Sequence, residues 1–185
     1  MSLLVIGDSW ASAHEADTEN QYAGWPEILG VDPALRQAIA GSTAAQWAAD
    51  FDGRLTRAIQ TPSDAVFISI GGNDVGELRG FADASRAIFN IRKVVGSFAV
   101  RPTCVMLYAN PFPGNPEAEN AVCMLNNAIH YACRGMKVLF LNSNKVLLPE
   151  HFLRRNPRDI HPTRAGWSLV AEAIGAMLKQ SGVEP

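Results

Sequence analysis

The apolar run Leu3-Leu4-Val5-Ile6 stops at Gly7, and from there to the C-terminus strand-like and helix-like patterns alternate five times. Short, continuous apolar runs closed by glycine suit the interior of a parallel sheet, which is covered on both faces. Ala65 to Ile70 is the clearest of them, β-branched and apolar up to Gly71-Gly72-Asn73-Asp74. Thr103 to Ala109 and Lys137 to Leu141 repeat the pattern, and Leu35 to Ala40 is a weaker version diluted by Arg36 and Gln37. Helix periods fill the intervals: Gly24 to Gly30 with proline in the first turn, Ala44 to Ile59 interrupted by Gly53, Phe81 to Phe98, Glu117 to Cys133, and Thr163 to Gln180. Alternation with short connections favours right-handed parallel crossovers. The expected fold class is therefore α/β, a three-layer α/β/α sandwich on a five-stranded parallel sheet.

The 185 residues suit one domain spanning 1–185. A formal net charge of −2 gives no electrostatic reason to bind nucleic acid. Cys104, Cys123 and Cys133 are odd in number and lack a CxxC spacing, which argues against a disulfide framework and against structural zinc. No pair of histidines has the close spacing of a metal site. No run approaches the ~18 apolar residues of a membrane span. The chain opens directly on its first strand, so a cytoplasmic protein is expected, with a leader cleaved ahead of Met1 as the alternative.

Polar, glycine-flanked turns follow three strands, and a fourth polar element precedes the last helix. Ser9, Gly41, Asn73 and His161 mark them. The strands of a parallel sheet share one carboxyl edge, where open α/β sheets bind ligands, so these four positions are expected to converge. Acyl transfer needs a nucleophile, a base for its proton, and donors aimed at the oxygen that turns negative. Ser9 supplies the first and His161 the second; the backbone N–H groups of Ser9 and Gly41, with the Asn73 carboxamide, supply an oxyanion hole.

Gly7-Asp8-Ser9, Gly41, Gly71-Gly72-Asn73-Asp74 and His161-Pro162, in that order and across nearly the whole chain, resemble the SGNH hydrolases, the GDSL-type esterases and lipases. The resemblance implies a flavodoxin-like sandwich, hydrolysis of ester or thioester acyl groups, no metal or organic cofactor, and a shallow, adaptable pocket. The G-x-S-x-G elbow of α/β-hydrolases is absent, because Gly7 is matched only by Ala11.

The last motif departs from the family pattern. Aspartate belongs three residues before the histidine, and Arg158 stands there, with Asp159 only two before His161. Three arrangements follow: Asp159 reaches His161 through a tightened loop, a backbone carbonyl orients His161 so that it and Ser9 work as a dyad, or the enzyme is weak. Arg158 reads as a solvated charge, or as a contact for an anionic substrate group. Asp8 and Asp74 read as braces of their own turns, His14, His130 and His151 as surface groups, and Trp10, Trp47 and Phe112 as packing rather than substrate platforms. The expectation is a serine esterase for small acyl esters, short-chain or carbohydrate O-acetyl. A thioesterase, lysophospholipase or acyltransferase on the same residues, or a binding module with a degenerate triad, is the alternative. Oligomeric state is not legible.

Overall fold

A computed structural model describes residues 2–12, 24–77, 81–153, 160–180 and 182. Strands β1 (Leu3–Gly7), β2 (Ala65–Ser69), β3 (Thr103–Leu107) and β4 (Val138–Asn142) lie side by side in that order, all parallel. The first three are buried end to end, as continuous apolar runs covered on both faces must be. The helices are α1 (Ser9–Ser12), α2 (Trp25–Ile28), α3 (Ala44–Ala48), α4 (Arg54–Gln60), α5 (Phe81–Gly96), α6 (Pro116–Ala132) and α7 (Arg164–Gln180). α5 packs on both α3 and α6, and α2 packs on α7. Sheet and helices thus make the expected α/β fold around one continuous apolar core.

The expected fifth strand, Leu35 to Ala40, does not form. Pro33–Leu35 is a 3-10 turn, and within the segment only Arg36 makes a bridge, to Val5. At a sheet edge a segment has one neighbour, and the partly exposed Arg36 and Gln37 bring too little apolar area to hold a full ladder. Gln37 and Ile39 still donate their backbone N–H groups to Val5 O and Gly7 O, each at 2.8 Å, so the segment runs along the free edge of β1. The lateral order is therefore 36–39, β1, β2, β3, β4. The chain leaves β1 toward one edge and β2 toward the other, which makes the β1–β2 boundary the topological switch point and the usual place for a ligand crevice.

The single helix expected from Ala44 to Ile59 is two. Asp50 and Asp52 adopt left-handed φ values of 56° and 52°, and Gly53 follows at 68°. The Asp50 carboxylate accepts from Thr56 N (2.9 Å) and Thr56 Oγ1 (2.5 Å), bonds available only if the chain breaks ahead of α4. Most of the polar segment from Ala11 to Gln21, His14 included, lies outside the described residues.

Candidate active site

Gly7 ends β1 level with Ser69 at the end of β2. Its φ of +132° and the 1.7 Å that would separate an added Cβ from Ser69 O restrict the position to glycine. The chain then turns, Asp8 N–H donates to Ser69 O at 2.8 Å, and Ser9 opens α1 at the carboxyl edge of the sheet.

Asp8 is buried at the junction of three strand ends. Its Oδ1 accepts from Trp10 N (3.1 Å) and Ser69 Oγ (3.1 Å), and its Oδ2 from Gly72 N (3.1 Å) and Tyr108 Oη (2.5 Å). Burial pushes its carboxyl up to about 6, against the pull of these four donors. Burial, and the neighbouring Asp8 charge, push the Tyr108 phenol well above its ordinary range. Asp8 therefore braces more than its own turn: it ties the turn that carries Ser9 to β2 and β3. Gly72 is required here, because a Cβ would sit 2.9 Å from both Asp8 Oδ2 and Tyr108 Cε1.

A second set of bonds joins the 41–43 turn to the same junction. Ser42 Oγ accepts from Trp47 Nε1 (2.9 Å) and shares its proton between Ile39 O (2.8 Å) and Gly7 O (3.0 Å). Asn73 Nδ2 donates to Ser42 O at 2.9 Å, and buried Asp74 Oδ2 accepts from Ala44 N at 2.8 Å. One Asn73 amide hydrogen is thus committed to holding the carboxamide in place, and an NH₂ group has a second to offer. Gly41 precedes this anchor with a φ of +76° and no atom within 4 Å of an added Cβ, so its glycine answers to backbone conformation rather than crowding. The turns bearing Ser9, Gly41 and Asn73 are therefore brought together.

His161 arrives from the other side. Phe152 and Pro162 form an antiparallel bridge, Leu153 N–H donates to His161 O at 3.0 Å, and Thr163 N–H to His151 O at 2.7 Å. Phe152 meets Trp10 with ring centroids 6.2 Å apart, and Trp167 of α7 meets the same indole edge-on at 5.9 Å. The residue after Ser9 is thereby packed against the element that presents His161. Asp159 and Arg158 lie outside the described residues. His151 Nδ1 accepts from Leu148 N at 2.9 Å, a local cap, and exposed His130 lies against Phe140 with rings 4.5 Å apart. Among the described residues no group of three or more His, Cys, Asp or Glu could hold a metal.

An apolar cleft of about 120 Å³ opens beside these turns, lined by Trp10, Gly72 and Ile160 together with one face of α6. Trp47 is fully buried, so it is packing; Trp10 is buried but also walls the cleft, as does half-buried Phe112. Sequence reasoning did not single out Tyr108, Ser69 or Ser42. Ser69 and Tyr108 are hydroxyls in or just after an apolar strand, and Ser42 follows the strand-like run 35–40, which is the signal that could have found them.

A family model described as GDSL-like lipase/acylhydrolase matches residues 5–168. Among solved structures, an alpha/beta hydrolase enzyme, LAE5, from the metagenome of Lake Arreo is similar with a TM-score of 0.71 at 17% identity, covering 100% of this chain and 96% of that one. The acetylxylan esterase Axe2 from Geobacillus stearothermophilus gives 0.69 at 19%, covering 99% and 94%. At these identities the likeness is one of fold. No curated protein matches. No described helix is long and apolar enough to cross a membrane.

Proposed function

This chain belongs to the GDSL-like lipase/acylhydrolase family, a family of ester hydrolases, and on that premise we propose that it hydrolyses small acyl esters with Ser9 as nucleophile and His161 as general base. The observation that carries the reading is the bond from Asn73 Nδ2 to Ser42 O. It links the end of β2 to the 41–43 turn, which Ser42 Oγ links in turn to Gly7 O, two residues before Ser9. This tethering supports the reading that a hydroxyl and the donors of an oxyanion hole serve one point on the sheet edge, at its switch point.

In the proposed reaction Ser9 Oγ attacks the ester carbonyl carbon while His161 takes the Oγ proton. The carbonyl oxygen becomes negative and is met by the Ser9 and Gly41 N–H groups and the Asn73 amide, each held before the charge develops. The bond from carbon to the alcohol oxygen breaks, and the alcohol leaves with the proton from His161. Water then adds to the acyl carbon, giving its proton to His161; the bond to Ser9 Oγ breaks and takes that proton back. The acid departs and the serine is restored. No cofactor is required, and Asp159 is proposed to orient the imidazole.

The substrate class is an acyl ester of a small alcohol or sugar. The name of Axe2 makes carbohydrate O-acetyl esters one member of the class to test. The experiment is turnover of p-nitrophenyl acetate and butanoate by wild type and Ser9→Ala, with fluorophosphonate labelling of the serine. Loss of roughly 10³-fold or more in Ser9→Ala, together with labelling of wild type alone, supports the proposal. Equal, slow release by both proteins and no label would refute it.

A further inference from the structure

The cleft beside Ser9 is larger than an acetyl group needs. It holds about 120 Å³, and since an apolar cavity of about 150 Å³ takes up benzene, this one has room for roughly four to six carbons. Its position ties it to the reaction. Trp10, Gly72 and Ile160 line it, and they are the chain neighbours of Ser9, Asn73 and His161, about 3.8 Å away from Cα to Cα.

One face of α6 also lines it. Ala118, Ala121, Val122 and Leu125 line the cleft at the i, i+3, i+4, i+7 spacing of a single helical stripe. Leu125 is buried in the core, whereas Ala118 and Ala121 are half-buried, and the space exists because these two side chains are small. The remaining wall is braced. Asn126 holds Tyr108 at both backbone groups, accepting from Tyr108 N (2.8 Å) and donating to Tyr108 O (2.9 Å). Asn110 Oδ1 accepts from Phe112 N at 2.9 Å, and Asn144 Oδ1 from Asn110 N at 3.0 Å. A wall pinned in this way does not need to be ordered by the substrate.

We infer, resting on the esterase reading above, that the site takes an apolar acyl group of about four to six carbons, butanoyl to hexanoyl, and that Ala118 and Ala121 set that length. Each methylene moved from water into the cleft contributes about a fourfold gain in binding. An acetyl group collects none of this gain, and a chain longer than the cleft must leave its end in water.

The test is kcat/KM on p-nitrophenyl acetate, butanoate, hexanoate and decanoate for wild type, Ala121→Phe and Ala118→Leu, with each variant's fold checked by circular dichroism. Wild type is expected to gain roughly tenfold or more from acetate to hexanoate and to fall again at decanoate. Ala121→Phe is expected to lower the hexanoate-to-acetate ratio by about tenfold or more. Ala118→Leu, a smaller intrusion one turn earlier, moves the ratio the same way and serves if the phenylalanine variant does not fold. A wild-type preference for acetate, or a ratio unmoved in a folded variant, overturns the inference and leaves the esterase reading standing. Absence of Ser9-dependent turnover on every ester removes that reading and the inference with it.

Discussion

Tyr108 Oη donates to Asp8 Oδ2 at 2.5 Å, joining the end of β3 to the turn that carries Ser9. Trp10 N–H and Gly72 N–H share that carboxylate, so one buried charge sets the spacing of three strand ends. Its strength depends on the charge being present. Replacing Tyr108 with Phe removes one hydrogen bond to a charged group, a loss of about 1.5–3 kcal/mol. Urea unfolding of Tyr108→Phe at pH 7.5 is expected to show a loss of that size, shrinking to about 1 kcal/mol at pH 4.5, where Asp8 is neutral. A loss that does not change with pH would mean that the Asp8 charge is not what the phenol serves.

The pH dependence of Asp8 itself has a definite sign. Burial raises its carboxyl from an ordinary 3.8 to about 6, so the folded chain binds this proton more tightly than the unfolded chain does. The stability this contributes is fully present below pH ~4 and is lost as pH rises through ~6, roughly 3 kcal/mol in all. Asp8→Asn has no proton to exchange there. The unfolding free energy of wild type minus that of Asp8→Asn should therefore fall by about 2.4 kcal/mol between pH 4 and pH 7.5. A difference that stays flat over this range would contradict the assignment.

The strands of the fold were legible where the chain is apolar without interruption. Ala65 to Ile70 could be little else, and the match between that run and β2 follows from burial on both faces. The segment 36–39 was legible in position but not in kind, because pairing with a single neighbour leaves the outcome to side chains that gain little by burial. The break after Ala48 depends on Asp50 finding Thr56, a local bond that periodicity does not register. At the site, Ser9, Gly41 and Asn73 stood out because each follows a strand-like run in the sequence. Tyr108 did not, because nothing in its own segment reveals an aspartate 100 residues earlier. The cleft was hidden for a related reason: Ala118 and Ala121 are ordinary helix residues until Trp10, Gly72 and Ile160, distant in sequence, line the same space.

Asn73 separates a role in the transition state from one in packing. Its amide already donates to Ser42 O, and the proposed reaction asks the second hydrogen to meet an oxyanion that does not exist in the ground state. Asn73→Ala is expected to lower kcat by about 10²–10³-fold, with KM changed by no more than a few-fold, because an interaction made only in the transition state acts on kcat. Asn73→Asp keeps the size but replaces the donor with an acceptor, so it should do no better. A rise in KM with kcat intact would assign the residue to substrate binding instead.

Asp159 is the third group of the proposed triad, two residues before His161 rather than three. If it accepts the imidazole N–H and fixes the tautomer, Asp159→Ala should cost about 10²-fold or more in kcat/KM on p-nitrophenyl butanoate. Asp159→Asn should be as poor, because an amide can turn its NH₂ toward the ring and stabilise the wrong tautomer. Fluorophosphonate labelling of Ser9 should slow in both variants without disappearing, since the donors at Gly41 and Asn73 remain. Rates within about threefold of wild type in both would pass the orienting role to a backbone carbonyl and reduce the machinery to the Ser9–His161 dyad.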